Sequence, residues 1–302
     1  MTIQNSQIVR SIPLAKASNN SLAETGHARP MGSILIDSGR LSVGNAEKIL
    51  THQRENGGRF GEVGRALGLL TEDDVRFALS VQFQYSYIPS GSNLSHELIA
   101  AYEPDSSSVE ELRMLRSQLM LRWFSNGADH KGLAIVSAGS GDGRSYIAAN
   151  LAIVFSQLGE KTLLIDADMR SPRQHKLFNL GTKAGLSDIL VGRAGSDAIS
   201  SIDALPNLSV LPAGAIPPNP QELLGRQSFS KLLLSLGEDF DVMIIDTPPA
   251  IACADAHTVA VRTGAALIVA RQDKSSMVQL GKFTHSLREF GVTLVGSVLN
   301  DG

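Results

Sequence analysis

The 302-residue sequence has little of the residue types that mark several common protein classes. Its one cysteine, Cys253, excludes an internal disulfide and disfavours a cysteine-based metal site. No apolar run approaches the ~20 residues that span a bilayer, and the N-terminal segment lacks the long apolar core of a signal peptide. We therefore expect a cytoplasmic protein without direct membrane insertion, which reaches the inner face of a membrane only through a partner.

An excess of either charge is also missing. The 27 Lys and Arg residues nearly balance the 30 Asp and Glu residues, which leaves a formal net charge of −3. A nucleic-acid-binding surface usually brings a clear positive excess, so we expect no nucleic-acid partner. The chain is longer than one compact core usually holds, so two domains are expected.

The N-terminal part of the chain contains a tandem repeat. Residues 1–28 are polar and are predicted to form a disordered tail. Residues 30–53 then align with residues 59–82. One copy is too small to bury its own apolar face, so the two copies together predict a small all-α domain over 29–90. Residues 91–106 contain proline, glycine and serine and are predicted to be an inter-domain linker.

Each copy of the repeat carries signals for two helices. A first short helix is predicted to end at Gly39 or Gly68, because glycine tolerates the left-handed backbone of a helix C-terminus. Ser42 or Thr71 then offers a side-chain oxygen to cap a second helix. The predicted domain is therefore a pair of helical hairpins.

This repeat resembles the N-terminal domain of type II secretion and pilus ATPases. The likeness includes the endings Leu50-x-x-Gln53 and Leu79-x-x-Gln82 of the two copies. Some domains of that group bind cyclic di-GMP through the paired motifs, whereas others are docking modules only. The resemblance leaves both expectations open for this chain.

From Gly132 onward, short apolar runs alternate with amphipathic segments. Six runs are predicted to be buried strands: 133–137, 162–168, 208–214, 241–249, 266–270 and 293–300. The alternation predicts an α/β fold, a doubly wound, mostly parallel sheet with helices on both faces. We assign this fold to residues 107–302.

A glycine-rich stretch, SAGSGDGRSY at 137–146, lies between the first predicted strand and a predicted helix. Its glycines allow backbone N–H groups to converge on phosphate oxygens, and the helix N-terminus adds positive potential. The usual phosphate loop ends in Gly-Lys-Ser or Gly-Lys-Thr, whereas this one reads Gly143-Arg144-Ser145. Taken alone, the stretch is equally typical of a simple glycine turn.

Carboxylates at the ends of two other predicted strands favour the phosphate-loop interpretation. LLIDADMRSP (163–172) carries Asp166 and Asp168, and VMIIDTPP carries Asp246. Mg²⁺ prefers carboxylate, hydroxyl and phosphate oxygens, so acids beside a phosphate loop predict a nucleotide–magnesium site. Asp255 is a further acid nearby, either as a ligand or as a loop cap.

Five motifs together resemble those of the bacterial tyrosine kinases of the EpsG type: the glycine-rich loop, LLIDADMR, IIDTPP, PPNPQELL (217–224) and GSVLN (296–300). Those kinases control exopolysaccharide chain length and are relatives of the MinD and ParA P-loop ATPases. The resemblance implies an ATP-dependent protein-tyrosine kinase that uses Mg²⁺. It also implies a membrane chain-length determinant protein as partner.

Carried over by position, the resemblance implies a role for each site residue. Asp166 is the implied base that accepts the tyrosine proton, with Arg170 as a nearby electrostatic partner. Arg144 is implied on the β- and γ-phosphates, where arginine keeps the lysine charge. The implied catalytic residues are Asp166, Asp168, Arg144 and Arg170. The implied metal ligands are Ser145, Asp168 and Asp246. The implied nucleotide contacts are Gly139, Ser140, Gly141, Asp142, Gly143, Arg144, Ser145, Tyr146 and Asn300.

A motif just before the second domain resembles one that these kinases use for subunit contacts. Glu110, Arg113 and Arg116 are spaced so that all three lie on one helical face. The resemblance therefore implies a homo-oligomer that assembles through this face.

The sequence departs from that family in its tyrosines. It has four, at Tyr85, Tyr87, Tyr102 and Tyr146, and stops at Gly302 without a tyrosine-rich tail. We therefore expect no phosphorylation of such a tail, and the three earlier tyrosines are either substitutes or packing residues. Three functions stay open: a tyrosine kinase, a MinD-like ATPase switch without kinase activity, and a nucleotide-regulated binding module for a membrane chain-length partner.

Overall fold

The computed structural model describes residues 29–83, 88, 92–127, 130–181 and 184–301. The predicted tail, residues 1–28, lies outside the described residues, as do Tyr85 and Tyr87.

The predicted pair of helical hairpins is present in the described part of the repeat. Its helices are α1 (Met31–Asp37), α2 (Val43–Asn56), α3 (Phe60–Ala66) and α4 (Glu72–Phe83). Ser42 caps α2 by accepting the backbone N–H of Asn45, and Thr71 Oγ1 accepts the backbone N–H of Asp74 in α4. Gly39 and Gly68 have φ of +71° and +66°, as the predicted helix ends require. These local predictions are confirmed.

The two hairpins share one small core. The buried apolar side chains come from both copies: Ile34, Leu35, Leu41, Ala46, Ile49, Val63, Leu70 and Ala78. Gly64 allows the copies to approach closely, because a Cβ atom there would lie 3.1 Å from Ile49 Cδ1 of the first copy. Each copy therefore covers the apolar face of the other.

A seven-stranded sheet forms the second half of the chain, in the order β3-β4-β2-β5-β1-β6-β7. Its strands are β1 (Gly132–Val136), β2 (Thr162–Asp166), β3 (Ser200–Ile202), β4 (Leu205–Leu211), β5 (Val242–Asp246), β6 (Ala265–Arg271) and β7 (Thr293–Asn300). All neighbours are parallel except β3, which runs antiparallel to β4 at one edge. The six predicted strands are confirmed, and the short β3 was not predicted.

Helices cover both faces of the sheet, as predicted. One face packs against α5 (Ile99–Tyr102), α6 (Ser107–Leu119) and α7 (Arg144–Gln157). The other face packs against α9 (Leu186–Leu190), α10 (Pro220–Gly225), α11 (Gln227–Asp239), α12 (Asp255–Thr263) and α13 (Met277–Glu289). A π-helical turn at Met120–Phe124 extends α6, α8 (Gln174–Leu177) follows β2, and a 3₁₀ turn at Ser196–Ala198 precedes β3.

The segment 92–106 is part of the predicted linker. Leu98, Ala100 and Ala101 are fully buried in the core around α7. Asn150 of α7 accepts the backbone N–H of Ala100 at 3.0 Å and donates to the carbonyl oxygens of residues 97 and 146 at 2.9 and 3.0 Å. The predicted linker therefore contains a buried apolar turn that packs against the sheet domain, and its role as a linker stays a prediction.

Tyr102 lies at the end of this packed segment and contacts both halves of the chain. Its hydroxyl donates to the carbonyl oxygen of Leu94 at 2.9 Å, so the side chain has a packing role here. Its own carbonyl oxygen accepts a hydrogen bond from Arg76 of α4 at 3.1 Å. The segment thus links the helical repeat to the sheet domain.

No helix in the described part of the chain is long and apolar enough to cross a membrane.

Replacing Asn150 with alanine tests the packing of this segment. The backbone N–H of Ala100 would lose its partner inside the core, which should lower the free energy of unfolding by about 1–3 kcal/mol. Asn207→Ala is the matched control, because Asn207 is exposed and makes one long bond, 3.3 Å, to the carbonyl oxygen of Ser156. Urea unfolding should separate the two variants; equal losses would show that the Asn150 contacts do not hold the segment.

Candidate nucleotide and metal site

The predicted motifs meet at one edge of the sheet. β2, β5 and β1 are adjacent and parallel, so their C-terminal ends lie side by side. Asp166 at the end of β2 is in register with Asp246 at the end of β5. The glycine-rich loop follows β1. Ligands of open parallel sheets bind outside this edge, so the arrangement defines a candidate site.

The loop between β1 and α7 has the geometry of an anion cradle. Gly141 and Gly143 have φ of +73° and +97°. This left-handed backbone conformation is strained for residues that carry a side chain. The Asp142 carboxylate is buried and accepts the backbone N–H of Gly139 at 3.0 Å, which closes the loop. The loop leads directly into the N-terminus of α7, where free N–H groups favour an anion.

Arg144, which replaces the usual lysine, is buried inside the loop. Its Nε donates to the carbonyl oxygen of Thr247 at 2.8 Å, and its Nη1 donates to the carbonyl oxygen of Gly139 at 2.7 Å and to Ser137 Oγ. The guanidinium therefore connects the loop to the end of β5. A permanent positive charge is held where a phosphate chain would approach.

Asp166 is fully buried behind the loop that follows β2. Its two carboxylate oxygens accept the backbone N–H groups of Asp168, Arg173 and Gln174 at 3.0–3.2 Å. Burial raises the pKa of Asp166 well above its usual range, and the neighbouring charge of Asp246 raises it further. Hydrogen bonds from the backbone oppose this rise only in part.

Asp246 is the second fully buried acid of the site. Burial raises the pKa of Asp246 from 3.8 to about 6, although the nearby Ser145 hydroxyl and the Gln174 amide oppose the rise. One oxygen, Oδ2, accepts the Gln174 amide at 2.8 Å. The other, Oδ1, is buried and has no hydrogen-bond partner among the described residues.

These oxygens fit a magnesium ion. The unpartnered Asp246 Oδ1 and the nearby Ser145 hydroxyl are hard donors that Mg²⁺ accepts. Within the described residues, no group of three or more His, Cys, Asp and Glu is arranged to hold a metal alone. Mg²⁺ at phosphate sites usually takes one or two carboxylates, with water and phosphate completing its shell, so the small donor set is sufficient.

Asp168 and Asp255 shape the loop after β2. Asp168 Oδ1 accepts the backbone N–H groups of Arg170 and Ser171 at 3.1 and 2.9 Å. Arg170 makes a two-bond ion pair with Asp255, at 2.9 and 3.3 Å. Asp255 is fully buried at the start of α12, so it orients Arg170 and is not placed as a metal ligand.

The remaining predicted nucleotide contacts border the loop. Ser140 is exposed at the loop tip. Asn300 Nδ2 donates to the carbonyl oxygen of Asp142 at 3.1 Å. Tyr146 and Asn300 both line a cavity of about 410 Å³ between α6 and β7. Partial burial raises the pKa of the Tyr146 hydroxyl, with Glu103 and Glu97 as smaller causes.

Two basic residues at this edge were not predicted. Arg271 Nη1 and Lys274 Nζ each lie 3.3 Å from the carbonyl oxygen of Gly141. In a trans peptide the C=O and the next N–H point in opposite directions. Holding the Gly141 oxygen on the outside of the loop therefore turns the N–H of Asp142 towards the inside of the cradle. Both residues follow the predicted strand 266–270 at the same sheet edge, which is the signal that would have identified them.

Gln174 was also missed, although it contacts three parts of the site. Its backbone N–H donates to Asp166, and its side-chain amide donates to Asp246 Oδ2 and to the carbonyl oxygen of Ser145. A single buried polar residue at the start of a short helix carries no sequence pattern that would reveal such contacts.

The predicted subunit-contact face is only partly available. Glu110 and Arg113 form an ion pair at 3.2 Å on α6. Arg116 instead donates to the carbonyl oxygen of Val154 on α7 at 2.8 Å, and burial lowers its pKa. Arg116 is therefore partly buried within its own chain, and the subunit contact through the three residues stays a prediction.

A parallel sheet with a phosphate loop after β1 and acids at the ends of β2 and β5 defines a P-loop NTPase. Residues 129–301 match the ParA family, described as NUBPL iron-transfer P-loop NTPase. Such a fold implies the use of a nucleotide and Mg²⁺.

Individual relatives of the chain identify a narrower family than this match does. Tyrosine-protein kinase YwqD of Bacillus subtilis is 35% identical over 70% of this chain and 88% of its own length. The kinase domain of the Escherichia coli tyrosine kinase ETK is 31% identical, with a TM-score of 0.65, over 70% of this chain and 82% of that domain. The chain belongs to the bacterial tyrosine-protein kinase family of ParA-like P-loop NTPases.

Coverage differs among these relatives. Tyrosine-protein kinase ptk of Acinetobacter johnsonii is 35% identical over 68% of this chain, but the match spans 28% of that protein.

Removing both basic residues from the loop tip tests their role. The double variant Arg271→Ala, Lys274→Ala should bind ATP about threefold to tenfold more weakly, because one peptide of the cradle loses its fixed orientation. Lys231→Ala, on exposed α11, is the control. Calorimetric titration with ATP gives the affinities; unchanged binding by the double variant would contradict the assigned role.

The raised pKa of Asp246 predicts a pH-dependent stability. Its pKa is higher in the folded chain than the usual 3.8. The folded state favours the protonated carboxyl of Asp246. The stability that this group contributes is therefore complete below about pH 4 and is lost as the pH rises through about 6. Asp246→Asn does not titrate, so without Mg²⁺ it should gain stability relative to the natural protein across that window, by on the order of 3 kcal/mol.

Urea unfolding in EDTA between pH 4 and 8 measures this difference. Asp241→Asn, at the exposed residue just before the same strand, is the control. A difference between Asp246→Asn and the natural protein that does not change with pH would contradict the prediction.

Proposed function

We propose that the chain is an ATP-dependent protein-tyrosine kinase of the EpsG type that regulates exopolysaccharide chain length and export. The observation that carries this proposal is the meeting of a phosphate loop with three carboxylates, Asp166, Asp168 and Asp246, at one sheet edge. Phosphoryl transfer needs mainly positioning and charge neutralisation, and this set of groups offers both.

The metal is assigned to Ser145, Asp168 and Asp246. The unpartnered oxygen of Asp246 supports the assignment. Mg²⁺, when bound, neutralises charge on the phosphate oxygens. Without a cation, Asp246 and Asp166 have raised pKa values, as expected for acids that are completed by a positive ligand.

Asp166 is assigned as the base that accepts the tyrosine proton. A carboxylate whose pKa is raised well above its usual range is a stronger base, which suits this task. Its oxygens are covered by backbone N–H groups of the loop after β2. To reach a tyrosine hydroxyl, Asp166 therefore needs this loop to shift.

ATP binding is assigned to the loop, with its phosphates beside Arg144 and its base in the cavity lined by Tyr146 and Asn300. The cavity volume, about 410 Å³, is sufficient for a nucleobase, and both side chains adjoin the loop. Arg144 contributes a fixed charge from within the cradle.

A MinD-like ATPase switch without protein phosphorylation is the second candidate function. The full burial of Asp166 favours it, because ATP hydrolysis does not require this acid to reach a protein hydroxyl.

The helical repeat is assigned as a docking module for a membrane chain-length determinant protein, which would bring the chain to the inner face of the membrane. Cyclic di-GMP stays a prediction for this domain. Three of its arginines, Arg29, Arg40 and Arg65, already form ion pairs with Asp37, Asp74 and Glu72. A homo-oligomer through Glu110, Arg113 and Arg116 also remains a proposal.

Phosphotyrosine and released phosphate, measured together, separate the two functions. The purified protein is incubated with Mg-ATP, with and without the cytosolic segment of the chain-length partner. Asp166→Asn should lower phosphotyrosine about 10²–10⁴-fold if Asp166 is the base, whereas Asp241→Asn should leave it unchanged. Phosphate release without phosphotyrosine on any supplied protein would reject the kinase and support the switch. Full kinase activity of Asp166→Asn would reject the assigned base.

A further inference from the structure

Gln174, the first residue of α8, is fully buried between the phosphate loop and the two buried acids. Its side-chain amide lies 2.8 Å from Asp246 Oδ2 and 3.1 Å from the carbonyl oxygen of Ser145. Its backbone N–H lies 3.0 Å from Asp166 Oδ2. One residue therefore contacts all three motifs of the site.

The contacts determine how the amide is oriented. The carboxylate of Asp246 and the carbonyl of Ser145 are acceptors, so both must face the Nε2 donor group. The carbonyl end, Oε1, then points away from them. It is buried and has no hydrogen-bond partner among the described residues.

Two unpartnered oxygens thus occur on two residues that are hydrogen-bonded to each other, Gln174 Oε1 and Asp246 Oδ1. The other buried unpartnered atoms in the described chain are nitrogens or hydroxyls, which are able to donate: Ser106 Oγ, Arg116 Nε, Ser230 Oγ and His257 Nδ1. Leaving an acceptor buried without a donor costs free energy, so paired orphan oxygens indicate a missing positive or protic ligand.

We propose that Gln174 is a positioning residue for the metal: it fixes the carboxylate of Asp246 through Nε2 and offers Oε1 to a water molecule of the metal shell. The inference rests on the proposed nucleotide–Mg²⁺ function. Groups in this second layer orient metal ligands and usually change metal affinity when removed. The contact with Ser145 also ties the metal ligands to the helix that begins at the phosphate loop.

The test is the magnesium dependence of ATP affinity, which does not require turnover. ATP is titrated into the full chain in excess Mg²⁺ and in EDTA. The quantity compared between variants is the dissociation constant in EDTA divided by the dissociation constant in Mg²⁺. Gln174→Met should lower this ratio about tenfold or more, while affinity in EDTA changes little. Gln157→Met is the matched control, because Gln157 Nε2 donates to a backbone carbonyl, that of Ala100 at 2.9 Å, away from the site.

Each outcome decides a different question. A natural protein whose ATP affinity does not depend on Mg²⁺ overturns the proposed function, and the role of Gln174 with it. A natural protein that depends on Mg²⁺, together with an unchanged ratio in Gln174→Met, overturns the role of Gln174 alone. Equal weakening in Mg²⁺ and in EDTA reduces Gln174 to a structural residue and also overturns it.

A second variant covers a folding failure of Gln174→Met. Gln174→Asn keeps an amide in the pocket but shortens it by one methylene, so it cannot hold both acceptors. It should also lower the ratio, and an unchanged ratio in a folded Gln174→Asn protein would contradict the inference.

Discussion

Two carboxylates, Asp166 and Asp246, lie in register at the ends of neighbouring parallel strands, and both are fully buried. Parallel pairing of β2 and β5 forces this proximity, and burial raises the pKa of both acids. A pair of this kind is unfavourable as two bare anions. The surrounding structure consists largely of groups that compensate for it.

Those groups come from separate parts of the chain. Backbone N–H groups of the loop after β2 point at Asp166, and the Gln174 amide and the Ser145 hydroxyl point at Asp246. Arg144 adds a buried positive charge from the phosphate loop. Compensation remains incomplete at Asp246 Oδ1. A magnesium ion with a nucleotide would complete it, which links the fold directly to the proposed chemistry.

Patterns with a fixed spacing were predictable from the sequence, and contacts between distant residues were not. The alternation of apolar runs predicted six strands, and the glycine and acid motifs predicted the site edge. The strand Ser200–Ile202 was missed because it is short, polar and antiparallel at an edge. The packed segment at 92–106 was missed because its burial depends on Asn150, some 50 residues further on. Gln174 belongs to no motif at all.

The central claim is that the buried acids hold a metal ion beside a nucleotide at the Arg144 loop. Crystals grown with Mn²⁺ and a non-hydrolysable ATP analogue, measured at the manganese absorption edge, test it most directly. The account predicts one anomalous peak within about 2.0–2.3 Å of an oxygen of Ser145, Asp168 or Asp246, in contact with the phosphates. A bound analogue without such a peak, or a peak remote from these oxygens, would contradict the account.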